Sequence, residues 1–298
     1  MKPLVSCIIT TYKRPIKVLK RAITSIISQT YSNIEIIVVN DYPKDSQLVK
    51  SISDMISSIQ DKRISYIVHE QNLGGCAARN TGVLASNGEY IAFLDDDDEW
   101  MPQKIERQLN LFDNNQVGLV YCQYFRVEKN RTIKIVPRDF CKEALKEIYC
   151  YNFIGGNSFP LIRKTAILEA GLFDVNLKSS QDTDMWIRIL EKNYKIRYCK
   201  ESLVKYYISE EAISTDINKI KEGYLYLLKK YKHVYESDKQ LYIKKLNMIA
   251  VALFVHGAKG DGLKYWRKAL MTQTLSINNL LFAKKLCGYL VMNLRRNN

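Results

Sequence analysis

Four consecutive aspartates, Asp95 to Asp98, directly follow an apolar stretch that ends at Leu94. Like charges this close repel, so the run costs stability unless positive charge lies beside it. Trp100 and Pro102 follow shortly after the run. They disfavour a solvated acidic surface turn, which stays an alternative. Hard divalent cations prefer carboxylate oxygens, and substrate phosphates often complete their shell. We therefore predict that the run exists to hold Mg²⁺ or Mn²⁺.

Two other kinds of site could use the same acids. In a calcium loop, Asp95, Asp97, Glu99 and Glu106 would fall at positions 1, 3, 5 and 12, but position 6 requires glycine and is Trp100 here. In a dinucleotide-binding domain, an acid after the second strand would contact ribose. The first strand, however, leads to "TTYKRP" and not to a G-x-G-x-x-G turn. Both alternatives are disfavoured.

The surrounding sequence alternates between predicted strands and predicted helices. The strand-like stretches are "LVSCIITTY", "IEIIVVND", "RISYIVH" and "EYIAFLD". The helical ones are "IKVLKRAITSIISQ", the segment from Ser46 to Ile59 with Ser46 as candidate cap, and "CAARNTGVLAS". Strands that are apolar on both faces predict a parallel sheet covered by helices. Ligands bind such sheets beyond the carboxyl ends of the strands, so Thr11, Tyr12, Asp41 and the aspartate run should line one crevice.

The later sequence predicts two more strands, "GLVYCQYFRVE" and "TIKIVP", and a helix from Lys164. An amphipathic helix in "DTDMWIRILEK" should bury Met185, Ile187, Ile189 and Leu190. Trp100 and Trp186 are expected in the core more than as sugar-stacking platforms. From about Thr215 onward, the pattern is helical throughout.

Charge is concentrated in the C-terminal third. The 298 residues carry a net charge of +14, and Lys219 to Asn298 hold 16 Lys and Arg against four Asp and Glu. An anionic membrane surface fits such a region, and we expect no nucleic-acid partner. The stretch 275–298 could bind membrane as a basic amphipathic helix or pack on the catalytic domain. Seven scattered cysteines without a C-x-x-C pair, and no apolar run long enough to span a bilayer, predict reduced thiols and a cytoplasmic protein. Peripheral contact with the inner face of the membrane stays open.

Several motifs together resemble the inverting family-two glycosyltransferases of the GT-A fold, of the bacterial surface-polysaccharide type. "VSCIITTYKRP" resembles the opening strand of that family, and "NLGGCAARNTGVLASNGEYIAFLDDDDEWMP" resembles its central series in order and spacing. "GGNSFPLIRKTAILEAGLFD" and "QDTDMWIRI" resemble its acceptor-side elements. The resemblance covers about residues 4 to 190. It implies an α/β, Rossmann-like mixed sheet flanked by helices, with an all-helical C-terminal extension outside the match.

The resemblance also implies roles and boundaries. Residues 1–214 would form the catalytic domain, with a donor part (1–105) and an acceptor part (106–214), and residues 215–298 a basic helical region. The donor, a UDP-sugar in the first instance, would be bound by the following residues: Thr11, Tyr12, Arg14, Asp41, Arg79, Asp95 and Asp96. Asp97 and Asp95 would hold Mn²⁺ or Mg²⁺, with Asp97 the more direct ligand, and Asp182 would be the catalytic base. The acceptor would be a saccharide or a lipid-linked saccharide.

The sequence departs from the family pattern at two places. "YPKD" follows Asn40-Asp41 where the family often has Gly-Ser, and Gln181 stands where a Glu often precedes the base. Asp182 and Asp184 could instead serve as acids at a helix N-terminus. A nucleotidyltransferase that makes a sugar nucleotide shares the layout but usually opens with a glycine-rich basic signature, which is missing here. A degenerate binding subunit is disfavoured by the presence of Asp97 and Asp182.

Overall fold

The computed structural model describes residues 2–129, 131–208 and 216–272. The strands are β1 (Val5–Thr11), β2 (Ile34–Asn40), β3 (Ile64–Val68), β4 (Tyr90–Asp95), β5 (Glu99–Trp100), β6 (Val117–Glu128), β7 (Arg131–Ile135), β8 (Leu161–Arg163) and β9 (Lys195–Tyr207). The helices are α1 (Ile16–Ile27), α2 (Ser46–Ile59), α3 (Gly75–Ala85), α4 (Lys104–Leu109), α5 (Ala144–Cys150), α6 (Lys164–Glu169), α7 (Gln181–Glu191), α8 (Ile217–Lys230), α9 (Lys232–Ser237), α10 (Lys239–Val255) and α11 (Lys259–Thr272).

The described residues fall into two compact units. The first combines the described residues up to Ala144 with those from Phe153 to 208. The second combines Leu145–Asn152 with the described residues from 216 onward. The predicted boundary between residues 214 and 215 adjoins residues outside the described part of the chain, so it stays a prediction. The sequence did not predict that a segment near residue 150 belongs with the C-terminal helices.

The first unit is built on one mixed sheet in the order β3-β2-β1-β4-β8-β6-β9-β5, with β7 paired to β6. The first four strands of this order are parallel to one another, as predicted. The sheet is mixed beyond β4, because β8 runs antiparallel to both β4 and β6. The mixed sheet flanked by helices that the resemblance implied is confirmed.

Strand register brings the predicted functional residues to one edge of the sheet. Thr11 of β1 pairs with Asn40 of β2, and Thr10 pairs with Asp95 of β4. The carboxyl ends of three neighbouring strands therefore lie side by side. Asp41, the next residue after β2, donates its amide to the Thr11 carbonyl at 3.0 Å.

Helices cover both faces of β1. Val5, Cys7 and Ile9 share a buried cluster with apolar residues of α1 and α2. Ile8 points the other way and lies against Gly82 of α3 so closely that a side chain at Gly82 would clash with it. A strand with helices on both sides must be apolar on both faces, which explains the continuous apolar run of β1.

Other sequence predictions are confirmed or corrected in detail. Met185, Ile187, Ile189 and Leu190 of α7 are buried, as are Trp100 and Trp186. The cap of α2 is Asp45 and not Ser46: the Asp45 carboxylate accepts from the Leu48 amide at 2.9 Å. The strand β9 was not predicted, because polar residues interrupt its apolar pattern.

The second unit has its own apolar core. Residues of α10 and α11 form it: Ile243, Leu246, Ile249, Ala250, Leu253, Tyr265 and Ala269. Two polar contacts tie α5 to this unit: Lys244 Nζ to the Glu147 carboxylate at 2.6 Å, and Tyr235 Oη donating to the Tyr149 carbonyl at 2.8 Å. None of the helices in the described ranges combines the length and apolar character needed to cross a bilayer. The stretch 275–298 lies outside the described residues.

The cysteine thiols of the described chain are unpaired, as predicted. They are Cys7, Cys76, Cys122, Cys141, Cys150 and Cys199. All but Cys141 are buried.

Candidate active site

The aspartate run turns where β4 ends: Asp96 and Asp97 lie in a tight turn that is closed by the Asp98 amide, which donates to the Asp95 carbonyl at 3.0 Å. Asp95 and Asp97 are partly exposed, whereas Asp96 and Asp98 are buried. The run therefore presents two carboxylates to the crevice and turns two into the protein.

Asp98 organises the protein and does not face the crevice. It is fully buried, and its two oxygens accept from the Ser158 hydroxyl at 2.5 Å and from the Tyr207 amide at 3.1 Å. Ser158 Oγ in turn accepts from the Asp95 amide at 3.0 Å, and the Ser158 carbonyl accepts from Trp100 Nε1 at 2.9 Å. Burial, and then the nearby Asp95 charge, raise the pKa of Asp98 well above its usual value. The prediction that the whole run exists to hold a metal is wrong for Asp98.

The positive charge beside the run comes from three arginines. Arg14 Nε contacts Asp96 Oδ1 at 2.8 Å, and Arg14 Nη2 contacts Asp97 Oδ2 at 3.0 Å. Arg21 of α1 donates to the Asp97 carbonyl and lies over a tyrosine ring of β9. These contacts offset the repulsion that the sequence alone left unexplained.

The third arginine, Arg79, links the run to the start of α7. Its Nη2 contacts Asp95 Oδ1 at 3.0 Å, and its Nη1 donates to Gln181 Oε1 at 2.8 Å. The next residue, Asn80, holds the Phe173 backbone through both its amide and its carbonyl, at 2.9 and 2.8 Å. Asn80 of this "RN" pair therefore fixes the loop that contains Phe173, and Arg79 joins the two acidic segments.

Asp182 and Asp184 both lie in the first turn of α7, but their surroundings differ. Asp184 is fully buried and forms an ion pair with Arg188 at 2.8 Å; Arg188 also donates to the Ala170 and Leu172 carbonyls. Asp182 is partly exposed, and its Oδ1 accepts from the Thr183 amide at 2.7 Å.

The pKa of Asp182 depends on groups across the crevice. Burial is the largest influence and raises it, the Thr183 amide and Arg79 lower it, and the Asp95 charge raises it again. The net effect is a raised pKa. Asp182 therefore lies within electrostatic reach of the residues that end β4, whereas Asp184 holds α7 to the loop before it.

Asp41 is committed to its own loop. It is buried, its Oδ1 contacts His69 Nδ1 and accepts from the Leu73 amide, both at 2.8 Å, and its Oδ2 accepts from the Gly74 amide at 2.8 Å. Gly74 has φ +88°, a conformation that favours glycine. The structure gives Asp41 a structural role, and a contact between Asp41 and the donor stays a prediction.

Thr11 and Tyr12 lie where β1 ends. The Thr11 hydroxyl is buried without a hydrogen bond of normal geometry in the described residues. Burial raises the pKa of the neighbouring Asp96 to about 6, and Arg14 and then the Thr11 hydroxyl act against that rise. Tyr12 is 45% exposed and meets Tyr42 edge to face at 5.1 Å between ring centroids. The Lys13 ammonium lies 5.4 and 4.9 Å from these two rings. The "YPKD" departure thus places an aromatic residue beside Tyr12.

The carboxylates of the crevice fit a cation whose remaining ligands come from the substrate. No group of three or more His, Cys, Asp or Glu side chains within the described ranges is arranged as a metal site. Asp95 and Asp97 supply two partly exposed carboxylates. Two carboxylates plus phosphate oxygens are a common arrangement for Mg²⁺, whereas an all-protein cage needs more ligands.

Sequence reasoning missed four residues that shape this site: Arg21, Ser158, His69 and Gln181 as the partner of Arg79. Ser158 lies inside the quoted "GGNSFP" element, so its segment was identified but its contact with Asp98 was not. Gln181 was noted only as a departure. No local pattern marks Arg21 or His69, because their partners are distant in sequence.

Comparisons with known proteins agree on one family. The sequence model of "Glycosyl transferase family 2" matches residues 6–175. An uncharacterized glycosyltransferase of Methanocaldococcus jannaschii, MJ1057, is 34% identical over 230 residues, covering 76% of this chain and 77% of the relative. The Escherichia coli UDP-Glc:alpha-D-GlcNAc-diphosphoundecaprenol beta-1,3-glucosyltransferase WfaP is 32% identical, covering 74% and 82%. The putative colanic acid biosynthesis glycosyl transferase WcaA of Escherichia coli K12 is 29% identical, covering 80% and 85%.

Solved structures share the fold. The mannosyltransferase PcManGT of Pyrobaculum calidifontis, in complex with GDP-Man and Mn²⁺, matches with a TM-score of 0.62 and 16% identity, covering 96% of this chain and 87% of that one. Residues 1–349 of S. aureus TarS, in complex with UDP, match with a TM-score of 0.53 and 17% identity, covering 92% of each chain.

Proposed function

The chain belongs to glycosyl transferase family 2, and from this premise we propose that it is an inverting, metal-dependent transferase of a UDP-sugar. The acceptor is a saccharide or a lipid-linked saccharide in surface polysaccharide synthesis, on the cytoplasmic side of the membrane. One observation carries the proposal: Arg79 joins the outward-facing Asp95 to Gln181, the residue before Asp182. Donor-side and acceptor-side acids therefore lie at one crevice.

On the donor side, the outward-facing carboxylates have the task of holding a cation. Asp97 and Asp95 would hold Mn²⁺ or Mg²⁺, which neutralises the charge that grows on a departing diphosphate. Arg79 and Arg14 already lie at these carboxylates and can donate to phosphate oxygens. Thr11 and Tyr12 line the same end of the sheet, where the nucleotide of the donor would lie.

On the acceptor side, Asp182 has the task of a general base. A sugar hydroxyl is a weak nucleophile, so a carboxylate must take its proton during attack. Burial raises the pKa of Asp182, which makes it a stronger base than a free aspartate. A single displacement, with the base and the leaving group on opposite faces of the sugar, inverts the anomeric centre.

The relatives support the class of substrate. WfaP is named for UDP-Glc as donor and for a diphosphoundecaprenol-linked acceptor, and WcaA for colanic acid biosynthesis. These names support a UDP-sugar donor and a polysaccharide pathway for this chain. The particular sugar and linkage depend on pocket contacts that no shared motif encodes.

A donor screen tests the proposal. Purified protein is incubated with UDP-Glc, UDP-GlcNAc, UDP-Gal, UDP-GalNAc and GDP-Man, with Mn²⁺, Mg²⁺ or EDTA, and release of the nucleoside diphosphate is measured. We expect release from at least one UDP-sugar, lost with EDTA and in Asp97→Ala. Arg197→Gln, which breaks an exposed ion pair with Asp113 in the same unit, is the control and should behave as the wild type. Turnover that EDTA leaves unchanged would contradict the metal-dependent mechanism.

A further inference from the structure

Arg14 contacts Asp97, the carboxylate that would bind the proposed cation. Its Nη2 lies 3.0 Å from Asp97 Oδ2, and its Nε lies 2.8 Å from Asp96 Oδ1. One guanidinium therefore bridges an outward-facing acid and a buried one. Among the three arginines described at the run, Arg14 forms the ion pair with the Asp97 carboxylate, whereas Arg21 donates to the Asp97 carbonyl and Arg79 contacts Asp95.

The two contacts of Arg14 differ in their surroundings. Asp96 is 5% exposed, so its ion pair is shielded from water and costly to break, because breaking it leaves a buried charge. The Asp97 side chain is 21% exposed, so its contact with Arg14 is cheaper to exchange. Pro15 follows Arg14 directly and α1 begins at Ile16, which keeps the backbone at this arginine fixed. The guanidinium can therefore release Asp97 while it keeps its contact with Asp96.

We propose that Arg14 competes with the divalent cation for Asp97 and, once displaced, donates to the diphosphate of the donor. The inference rests on the proposed function and adds a linkage to it. A guanidinium and a divalent cation at one carboxylate repel each other, so the cation alone meets a site whose negative charge Arg14 already offsets. When cation and diphosphate bind together, the freed Nη2 finds phosphate oxygens, a strong acceptor for an arginine fork.

Such an exchange has a thermodynamic consequence. Arg14 weakens binding of the cation alone and strengthens binding of the nucleotide when the cation is present. The two ligands then bind with positive cooperativity, and by linkage each raises the affinity of the other by the same factor. Arg14 would thereby keep the crevice from holding a metal until a donor is bound.

Calorimetric titration of the full chain tests this inference. Mn²⁺ is titrated alone, UDP is titrated alone, and UDP is titrated at saturating Mn²⁺, for the wild type and for Arg14→Gln. We expect Arg14→Gln to bind Mn²⁺ alone about 10-fold more tightly and to bind UDP at saturating Mn²⁺ about 10-fold more weakly, which are tenfold steps of the size that one charged contact produces. Arg197→Gln removes an arginine from a comparable half-exposed carboxylate pair and should match the wild type.

Arg14→Lys guards against a folding defect in the first variant. Lysine keeps the charge but cannot bridge two carboxylates as a fork does, so its cooperativity should fall between wild type and Arg14→Gln. Unchanged or weaker binding of Mn²⁺ alone in both variants would overturn the inference while leaving the proposed function intact. A wild-type protein that binds neither Mn²⁺ nor UDP would overturn both.

Discussion

At the scale of single residues, neighbouring carboxylates of the aspartate run have opposite tasks. Asp97 faces the crevice, whereas Asp98 accepts two internal hydrogen bonds and is sealed from water. The turn that follows β4 directs these side chains to different sides. A change in one residue of the run should therefore affect either ligand binding or stability, according to the side on which it lies.

The first prediction separates these two tasks. Asp98→Ala leaves the buried Ser158 hydroxyl and the Tyr207 amide without their acceptor, and each such loss costs about 1–3 kcal/mol. Asp97→Ala should change the free energy of unfolding by less than about 0.5 kcal/mol, because it removes one partly exposed ion pair and one source of like-charge repulsion. Urea unfolding of both variants without metal measures this. Equal stability of the two variants would contradict the division of the run.

The second prediction concerns the proposed base. Asp182→Asn keeps its shape and its place in α7 but cannot take a proton, so turnover should fall by about 10²-fold or more while UDP affinity changes little. Steady-state kinetics and UDP titration measure the two effects. Asp184→Asn is the structural comparison and should lower stability, since it breaks the buried pair with Arg188. Near-normal turnover in Asp182→Asn would place the base elsewhere.

The third prediction follows from the raised pKa of Asp182. A base must be deprotonated to act, so kcat/KM should fall as the pH drops through the pKa of this carboxyl. Because burial raises that pKa, the midpoint of the acid limb should lie above the value of about 4 typical of aspartate. The profile is measured at saturating Mn²⁺. A midpoint at or below about 4 would show that Asp182 is not the group that titrates.

The sequence predicted which residues lie at the site better than it predicted the contacts between their side chains. The sequence predicted that Thr11, Tyr12, Asp41 and the aspartate run line one sheet edge, and the strand register does bring the ends of β1, β2 and β4 together. The sequence did not show that Asp41 is tied to His69, because that contact joins residues 28 positions apart. Local patterns report which residues share an element, whereas side-chain pairing across elements depends on the folded geometry.

At the scale of elements, α3 positions the arginine that joins the two halves of the crevice. It can do so because Gly82 lets the helix lie directly on β1, with Ile8 filling the space that a side chain would need. Asn80 then fixes the other side of the helix to the Phe173 backbone. The short helix is thus held from two directions, and Arg79 projects from a rigid base.

The fourth prediction tests this close approach. Gly82→Ala adds a methyl group that clashes with Ile8, and overpacking of this kind typically costs about 1–3 kcal/mol. The same shift should move Arg79 and weaken UDP binding. Leu84→Ala, on the same helix and 66% exposed, is the control and should leave both properties unchanged. Thermal unfolding and UDP titration measure them, and a Gly82→Ala protein as stable as the wild type would contradict the packing account.

Element prediction worked best where the hydrophobic pattern was continuous. The strands β1, β2 and β4 were predicted because buried parallel strands are apolar throughout. The edge strand β3 was predicted from its apolar run, although none of its residues is fully buried. The strand β9 was not predicted because its burial alternates irregularly along its 13 residues. Its pairing with β6 also contains register shifts. A strand at an irregular part of a mixed sheet carries no clear period, so only its partners define it.

At the scale of the whole molecule, the predicted site residues and the excess of basic charge belong to different units. Asp95, Asp97 and Asp182 are residues of the first unit, whereas the excess of Lys and Arg begins at Lys219 in the sequence. On α11, Met271 is 87% exposed in a helix that also carries Lys264, Arg267 and Lys268. A region that combines basic and exposed apolar side chains suits an anionic lipid surface.

The fifth prediction is that the C-terminal region binds anionic membrane. Each basic residue near such a surface contributes about 1 kcal/mol, and the attraction decays within a Debye length. Co-sedimentation with liposomes should therefore require anionic lipid and weaken steeply as salt increases. Truncation after Thr274 removes the predicted amphipathic stretch 275–298 and should weaken sedimentation without changing UDP affinity. Absence of sedimentation at low salt would favour a helix packed on the protein instead.

We propose that the outward-facing aspartates bind the donor through a divalent cation. The decisive measurement is UDP titration into the wild type and Asp97→Ala, each with Mn²⁺ and with EDTA, with Arg197→Gln as control. We expect tight UDP binding only in the wild type and the control, and only with Mn²⁺. Equal UDP affinity in Asp97→Ala and the wild type, or in EDTA and Mn²⁺, would contradict it.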